Sequence, residues 1–178
     1  MHHHPPHPAI VLLLLTTACA GATPKPDTST ARREASTMFA ALKAKDFEKF
    51  STYFLDKAIE ANGGKDALVA ILRKGDEENL KAGISIENVE VDTPRQTLQV
   101  GDELHIILPM AITMKVKGGT LVQRSHLYGI SKDNGTTWKF VDAIKLNADN
   151  IKQVVPNYDV RLSLPPPEDP EFLENPPD

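Results

Sequence analysis

General acid–base chemistry needs a titratable side chain poised near the operating pH inside a sheltered site. In this chain the residues able to do that work are His105, His126, Asp142, Tyr53 and Tyr128. Alternation along an extended strand puts His126 and Tyr128 on one face. Asp142 falls on the face of Trp138 and Phe140, an unusual setting for a carboxylate, because burial there would disfavour its charge. His105 lies opposite a long apolar run and is expected to point outward. Asp142, His126 and His105 are therefore the candidate catalytic groups, and Tyr53, Tyr128 and Trp138 the candidate ligand contacts. The competing reading of each is an ordinary satisfied or solvated polar side chain. His105, His126 and a carboxylate have no close ligand spacing, so neither a metal site nor a cofactor is expected. No glycine-rich phosphate loop, nucleophile elbow or HExxH pattern occurs.

Cys19 is the only cysteine, so the fold has no internal disulfide to lean on. It follows the apolar run Ala9 to Leu15, which is too short to cross a bilayer and fits the apolar region of a secretory signal. Thr17-Ala18-Cys19 resembles the end of a bacterial lipoprotein signal, which is cut just before a Cys that then carries lipid. Thr16 departs from that pattern, where an aliphatic residue is usual, and the region before the apolar run has histidines in place of Lys or Arg. The resemblance implies lipidation at Cys19, a membrane anchor and a cell-envelope location. Ala20 after the Cys resembles an outer-membrane address in a Gram-negative cell. The alternative is cleavage by ordinary signal peptidase and a secreted protein. His2 to His7 would leave with the signal over residues 1–18. Residues 19–30 are small, polar and Pro-bearing, the composition of a flexible tether.

The charge balance excludes one partner class. Lys+Arg number 20 and Asp+Glu 24, and no basic stripe appears, so nucleic acid is not expected as a partner. Residues 156–178 hold seven prolines and, after Leu164, five acids with no Lys or Arg, and read as a Pro-rich, acidic, disordered tail. Removing those acids leaves residues 31–155, one ordinary domain, close to neutral.

The elements that must position the candidates follow from periodicity. Ala35, Met38, Phe39 and Leu42 mark one face of a first helix. Asp46 is placed to cap a second, with Phe47, Phe50 and Phe54 inside and Ile59 as its extension. Gly63-Gly64 ends it, and a third helix from Lys65 buries Leu68, Ile71 and Leu72, with a break expected at Gly75. From Ile84 the period becomes two. Ile84 to Val91 is a strand with a slip near Asn88, and Leu98 to Val100 leads to a turn at Gly101-Asp102. Leu104 to Val116 alternates most clearly, with a bend expected at Pro109. Gly118-Gly119 turns the chain into Leu121 to Ser131, and Asp133-Asn134-Gly135 turns it again into Thr137 to Leu146. Ser131 to Trp138 resembles the Asp-box of sialidase propellers, a folding element of a hairpin; here it occurs once and reads as a turn.

Helices first and an antiparallel meander after define an α+β domain: three N-terminal helices packed on a curved antiparallel sheet. That order, with Lys45-Asp46-Phe47, Gly63-Gly64-Lys65-Asp66-Ala67 and Ile130 to Gly135 before Trp138, resembles the cystatin-like, cone-shaped nuclear transport factor two-like superfamily and an uncharacterised group of bacterial lipoproteins within it. The superfamily includes enzymes, binding modules and assembly proteins, so the resemblance implies fold rather than activity. The leading expectation is a non-enzymatic, envelope-anchored module for a small apolar ligand or an envelope protein. The second is an isomerase- or cyclase-like enzyme using Asp142 or a His as general base. The third is a homodimer or assembly element pairing through a face with Thr113, Lys115, Arg124 and His126.

Overall fold

The structure is a computed structural model and describes residues 28–175. The signal, Cys19 and most of the tether therefore lie outside the described residues.

Four helices, not three, precede the sheet. Helix α1, Ser29–Lys43, starts inside the stretch assigned to the tether and buries Ala31, Ala35, Met38, Phe39 and Ala41. Helix α2, Phe47–Ser51, is capped by the Asp46 carboxylate, which accepts from the Lys49 N–H at 3.0 Å. It stops there and does not run on to Ile59. The reason is tertiary: the Phe140 N–H donates to the Tyr53 carbonyl (2.7 Å) and the Leu55 N–H to the Phe140 carbonyl (3.1 Å). These two bonds draw the chain onto the sheet edge and cost the helix its continuation. Helix α3, Asp56–Ala61, resumes after the break. Helix α4, Lys65–Lys81, passes Gly75 unbroken. Only Leu68 and Val69 of α4 are buried, so its outer half is a solvated face and Ile71 is exposed.

The sheet follows the expected hairpins. Strand β1, Ser85–Val91, carries the anticipated slip, a register shift between Ile86 and Asn88. Strands β2, Gln96–Val100, and β1 both pair with one edge of β3, Glu103–Val116. Strand β4, Gly119–Ser131, pairs with the other edge of β3 with no register shift. Strands β5, Lys139–Asp142, and β6, Glu171–Glu174, share the far edge of β4. A 3-10 turn at Ala143–Lys145 and the short helix α5, Ile151–Val154, follow β5. Pro109 makes no bulge against β4. It sits where β1 gives way to β2, and its carbonyl faces that edge, accepting from the Asp92 N–H at 2.9 Å. In an antiparallel strand N and C=O of one residue point the same way. The donor that proline lacks would therefore have faced the gap between the two strands.

Alternation divides the core. Leu104, Ile106, Leu108 and Met110 of β3 face α1 and α2 with Leu127, Trp138 and Phe140. Ile107, Tyr128 and Ile130 face the other way. For residues 156–175 that second face corrects the reading as a disordered tail; residues 176–178 lie outside the described residues. Val155 and Leu162 are 0 % and 1 % exposed on it, and β6 adds a strand. The Pro-rich acidic composition stays at the surface, while Val155 and Leu162 supply the apolar area that seats the segment. Gly119 makes the strand addition possible, because a Cβ there would lie 2.2 Å from the Leu173 carbonyl oxygen. The segment also covers part of the face proposed for pairing. Thr113, Lys115, Arg124 and His126 share that face by register, but Arg124 is bound to Glu171 (3.1 Å).

Truncation of a fully buried leucine costs about 2–5 kcal/mol. Leu162→Ala should destabilise the domain by that order in urea unfolding, whereas a disordered tail would give no change.

Candidate functional site

The helix layer and the first face of the sheet do not meet everywhere. Between them lies a cavity of about 270 Å³ lined by Phe39, Phe50, Leu72, Leu127 and Phe140, among other apolar side chains. Its aromatic wall is ordered by edge contact, Phe50 against Phe54 at 5.1 Å and 83°. The one ionisable residue lining it is Asp142. Asp142 pairs with Leu127 in register and so shares Phe140's face, as the alternation implied. The side chain is nevertheless exposed. Its Oδ1 accepts from the Ser125 hydroxyl (2.9 Å) and from the Ile144 N–H (2.9 Å), capping the 3-10 turn.

His105 does not point outward. It is 0 % exposed, because the C-terminal segment covers the face it stands on. Its Nδ1 lies 2.7 Å from the Tyr128 hydroxyl and its Nε2 3.0 Å from Glu103 Oε2. A carboxylate only accepts, so Nε2 carries a hydrogen; whenever the ring is neutral, Nδ1 is then the acceptor for the Tyr128 hydroxyl. Burial raises the Tyr128 hydroxyl well above its ordinary pKa, and the neighbouring Tyr158, Asp159 and Glu103 add to it. At Glu103, burial opposes the charge. Hydrogen bonds from His105 and Asn157 and the charges of His105 and Lys132 outweigh it and hold the carboxyl below its usual value. Asn157 donates to Glu103 Oε2 at 3.3 Å, and Tyr158 packs on Tyr128 with ring centroids 6.2 Å apart. The network is thus a buried polar strut that fastens residues 157–162 to the sheet. His105 and Tyr128 line none of the apolar cavity, the cleft beside Pro109 or the hollow of about 420 Å³ under α3, although Glu103 and Asn157 do line that last one.

The remaining candidates part company. Tyr53 packs against the core without lining the apolar cavity, and burial, helped by Glu34, raises its pKa. Trp138 is 2 % exposed, its Nε1 donating to the Gly135 carbonyl (3.1 Å) and Thr30 Oγ1 (3.0 Å). It roofs the Asp133 turn. There Asp133 accepts from the Thr137 N–H (2.8 Å) and hydroxyl (2.7 Å), which hold its carboxyl down at about 2. None of Tyr53, Tyr128 and Trp138 lines the apolar cavity. His126 opens instead on a separate cleft beside Pro109. Sequence reasoning missed Glu103 and Ser125. Glu103 had a signal, since residues two apart in a strand share a face and it precedes His105 by two. Ser125 had none, because its partner Asp142 is distant in sequence.

No protein family and no curated protein matches this sequence. No helix among the described residues is long and apolar enough to cross a membrane.

Removing one partner of a buried hydrogen bond costs about 1–3 kcal/mol. Tyr128→Phe strands His105 Nδ1 and should lower stability by that order in chemical denaturation. A change within experimental error would mean that the strut contributes nothing.

Proposed function

We propose that the described domain is a non-enzymatic binding module that takes a small apolar ligand between its helices and its sheet. The observation that supports this most directly is the cavity of about 270 Å³ with an almost wholly apolar lining and one carboxylate, Asp142, among its walls. Small-molecule sites run from roughly 300 to 1,000 Å³ with a few placed polar groups. This cavity therefore suits a ligand the size of a fused bicyclic ring or a short acyl chain. Both described hydrogen bonds to Asp142 fall on Oδ1, and a ligand hydroxyl or ammonium can reach Oδ2. The helix layer on one face and the long β3–β4 hairpin also fit the cone of the nuclear transport factor two-like superfamily, whose open end such a ligand would enter.

The isomerase or cyclase reading places Asp142 in the same cavity as a proton-abstracting base. Its exposure and its two donors favour a cap and a ligand anchor instead. The address of the module is the second half of the proposal: a lipid on Cys19 holds the chain in the cell envelope, as the resemblance of Thr17-Ala18-Cys19 implies.

The neutral fluorophore N-phenyl-1-naphthylamine probes the cavity without recourse to charge. The parent protein should take it up with a blue shift and saturate, and Leu72→Trp, which fills the cavity from α4, should bind at least tenfold more weakly. No uptake by the parent, or equal uptake by the filled variant, overturns the reading. The anchor is checked by the intact mass of membrane-extracted protein. Loss of residues 1–18 with addition of a diacylglycerol and an acyl chain, absent in Cys19→Ser, is the expected result. An unlipidated Cys19 would make the domain a freely secreted one.

A further inference from the structure

The chain leaves the sheet between β1 and β2, and a second, wider cleft of about 550 Å³ opens beside that break. It shares only Met110 with the apolar cavity. Its floor is small and rigid. Register places Glu90, Ala111 and Arg124 side by side across three strands, and Pro109 beside His126. Ala111 and Pro109 thus part charged walls that would otherwise close.

Most charges in those walls are already engaged. Arg124 pairs with Glu171 at 3.1 Å, and Arg32 Nε donates to the Val91 carbonyl at 2.9 Å. Glu90 accepts from Asn88 at 3.1 Å, and Asp92 from the Thr93 N–H at 2.7 Å. Two donors, His126 and Arg95, are not engaged among the described residues, and neither is the carboxylate of Glu168. His126 is 7 % exposed, yet its ring makes no hydrogen bond among the described residues. Since no fully buried side-chain nitrogen there lacks a partner, its nitrogens open into the cleft itself. Arg95 has its backbone fixed by an N–H bond to the Ile107 carbonyl (2.9 Å), while its guanidinium makes no ion pair among the described residues. Burial first, and then the charge of Arg95, hold His126 below its ordinary value, and Glu168 and Asp142 push the other way. Glu168 reaches the cleft from the C-terminal segment, whose path is set by the bond from Gln123 Nε2 to its carbonyl at 2.9 Å.

We infer that this cleft binds the carboxylate or phosphate end of a small organic molecule, held between Arg95 and His126 over Pro109, with Glu168 as the competing charge at its mouth. The unspent groups are a guanidinium fork and an imidazole, both able to donate to an oxyanion. A planar guanidinium offers two parallel bonds to either kind of anion. The anion in turn favours the charged form of His126, so binding takes up a proton and tightens as pH falls through the range in which His126 titrates. Arg32, Arg124, Asp92 and Glu90 also face the cleft, each already held by a bond of its own.

The test is a titration of the full chain with inorganic phosphate and, separately, with benzoate, read from the His126 ring resonances. Each effective anion should raise the pH at which His126 titrates and saturate its shift. A stronger response to benzoate assigns the site to organic carboxylates, and a stronger response to phosphate to phosphate esters. Arg95→Ala should weaken binding about tenfold, and Arg95 is exposed, so the fold should survive. Glu168→Gln removes the competing charge and should tighten binding about two- to fivefold, the scale of one exposed charge pair. Neither anion moving His126 at concentrations on the order of tens of millimolar, with the amide spectrum still folded, overturns the inference. So does unchanged affinity in Arg95→Ala.

Discussion

The pairing of β3 with β4 runs unbroken from Leu104 opposite Ser131 to Val116 opposite Gly119. A strand sends successive side chains to opposite faces, so one register decides what both faces present. Here both faces near the Leu104 end are apolar, and each must be covered. The helices cover one with Met38, Phe39 and Phe50, and the C-terminal segment covers the other with Val155 and Leu162. A slip of one residue would bring His105 and Tyr128 under the helices, where the described contacts offer no polar partner, and would unseat the C-terminal segment. The domain is therefore three layers deep at one end of the sheet, and open at the other, where Thr113 and Lys115 stand.

The buried polar strut follows from the same constraint. Covering the second face takes His105 out of water, and a buried imidazole needs partners at both nitrogens. Tyr128 supplies one from β4 and Glu103 the other from two residues upstream. Asn157 then ties the covering segment to the same carboxylate. In the site that looks most like catalytic machinery, a Glu–His–Tyr chain, only Glu103 lines an opening, while His105 and Tyr128 are 0 % exposed. Chemistry of a cluster and access to it are separate requirements, and packing over this face leaves the imidazole and the phenol no exposure.

The apolar cavity and the polar cleft arise from two different mismatches. The apolar cavity exists because the short α2 and the turn after it leave space under α4 unfilled. The polar cleft exists because β1 and β2 share one edge of β3 and cannot be continuous across Pro109. Ser125 and Asp142 lie between them, a hydroxyl bonded to a carboxylate at 2.9 Å, with Ser125 lining the cleft and Asp142 the cavity. Charge in one opening is thus felt at the edge of the other, as the influence of Asp142 on His126 indicates.

The sequence by itself determined the order of the elements. The period of 3.6 in Ala35, Met38 and Phe39, the period of two from Leu104 to Val116, and the Gly and Asn turns are local signals carried by neighbouring residues. The slip near Asn88 and the Asp133 turn were legible for the same reason. Tertiary structure decided the rest. The split of the second helix came from Tyr53 and Leu55 bonding Phe140, residues far apart in the chain. The orientation of His105 was legible, since alternation places it opposite Leu104, but its burial was not. Exposure depends on what lies above a face, and what lies there is a Pro-rich acidic segment whose composition points away from order. Two buried side chains and four strand residues outweighed that composition. The candidate site was least legible of all, because a cavity is the space that packing leaves behind, and no residue's type or spacing encodes it.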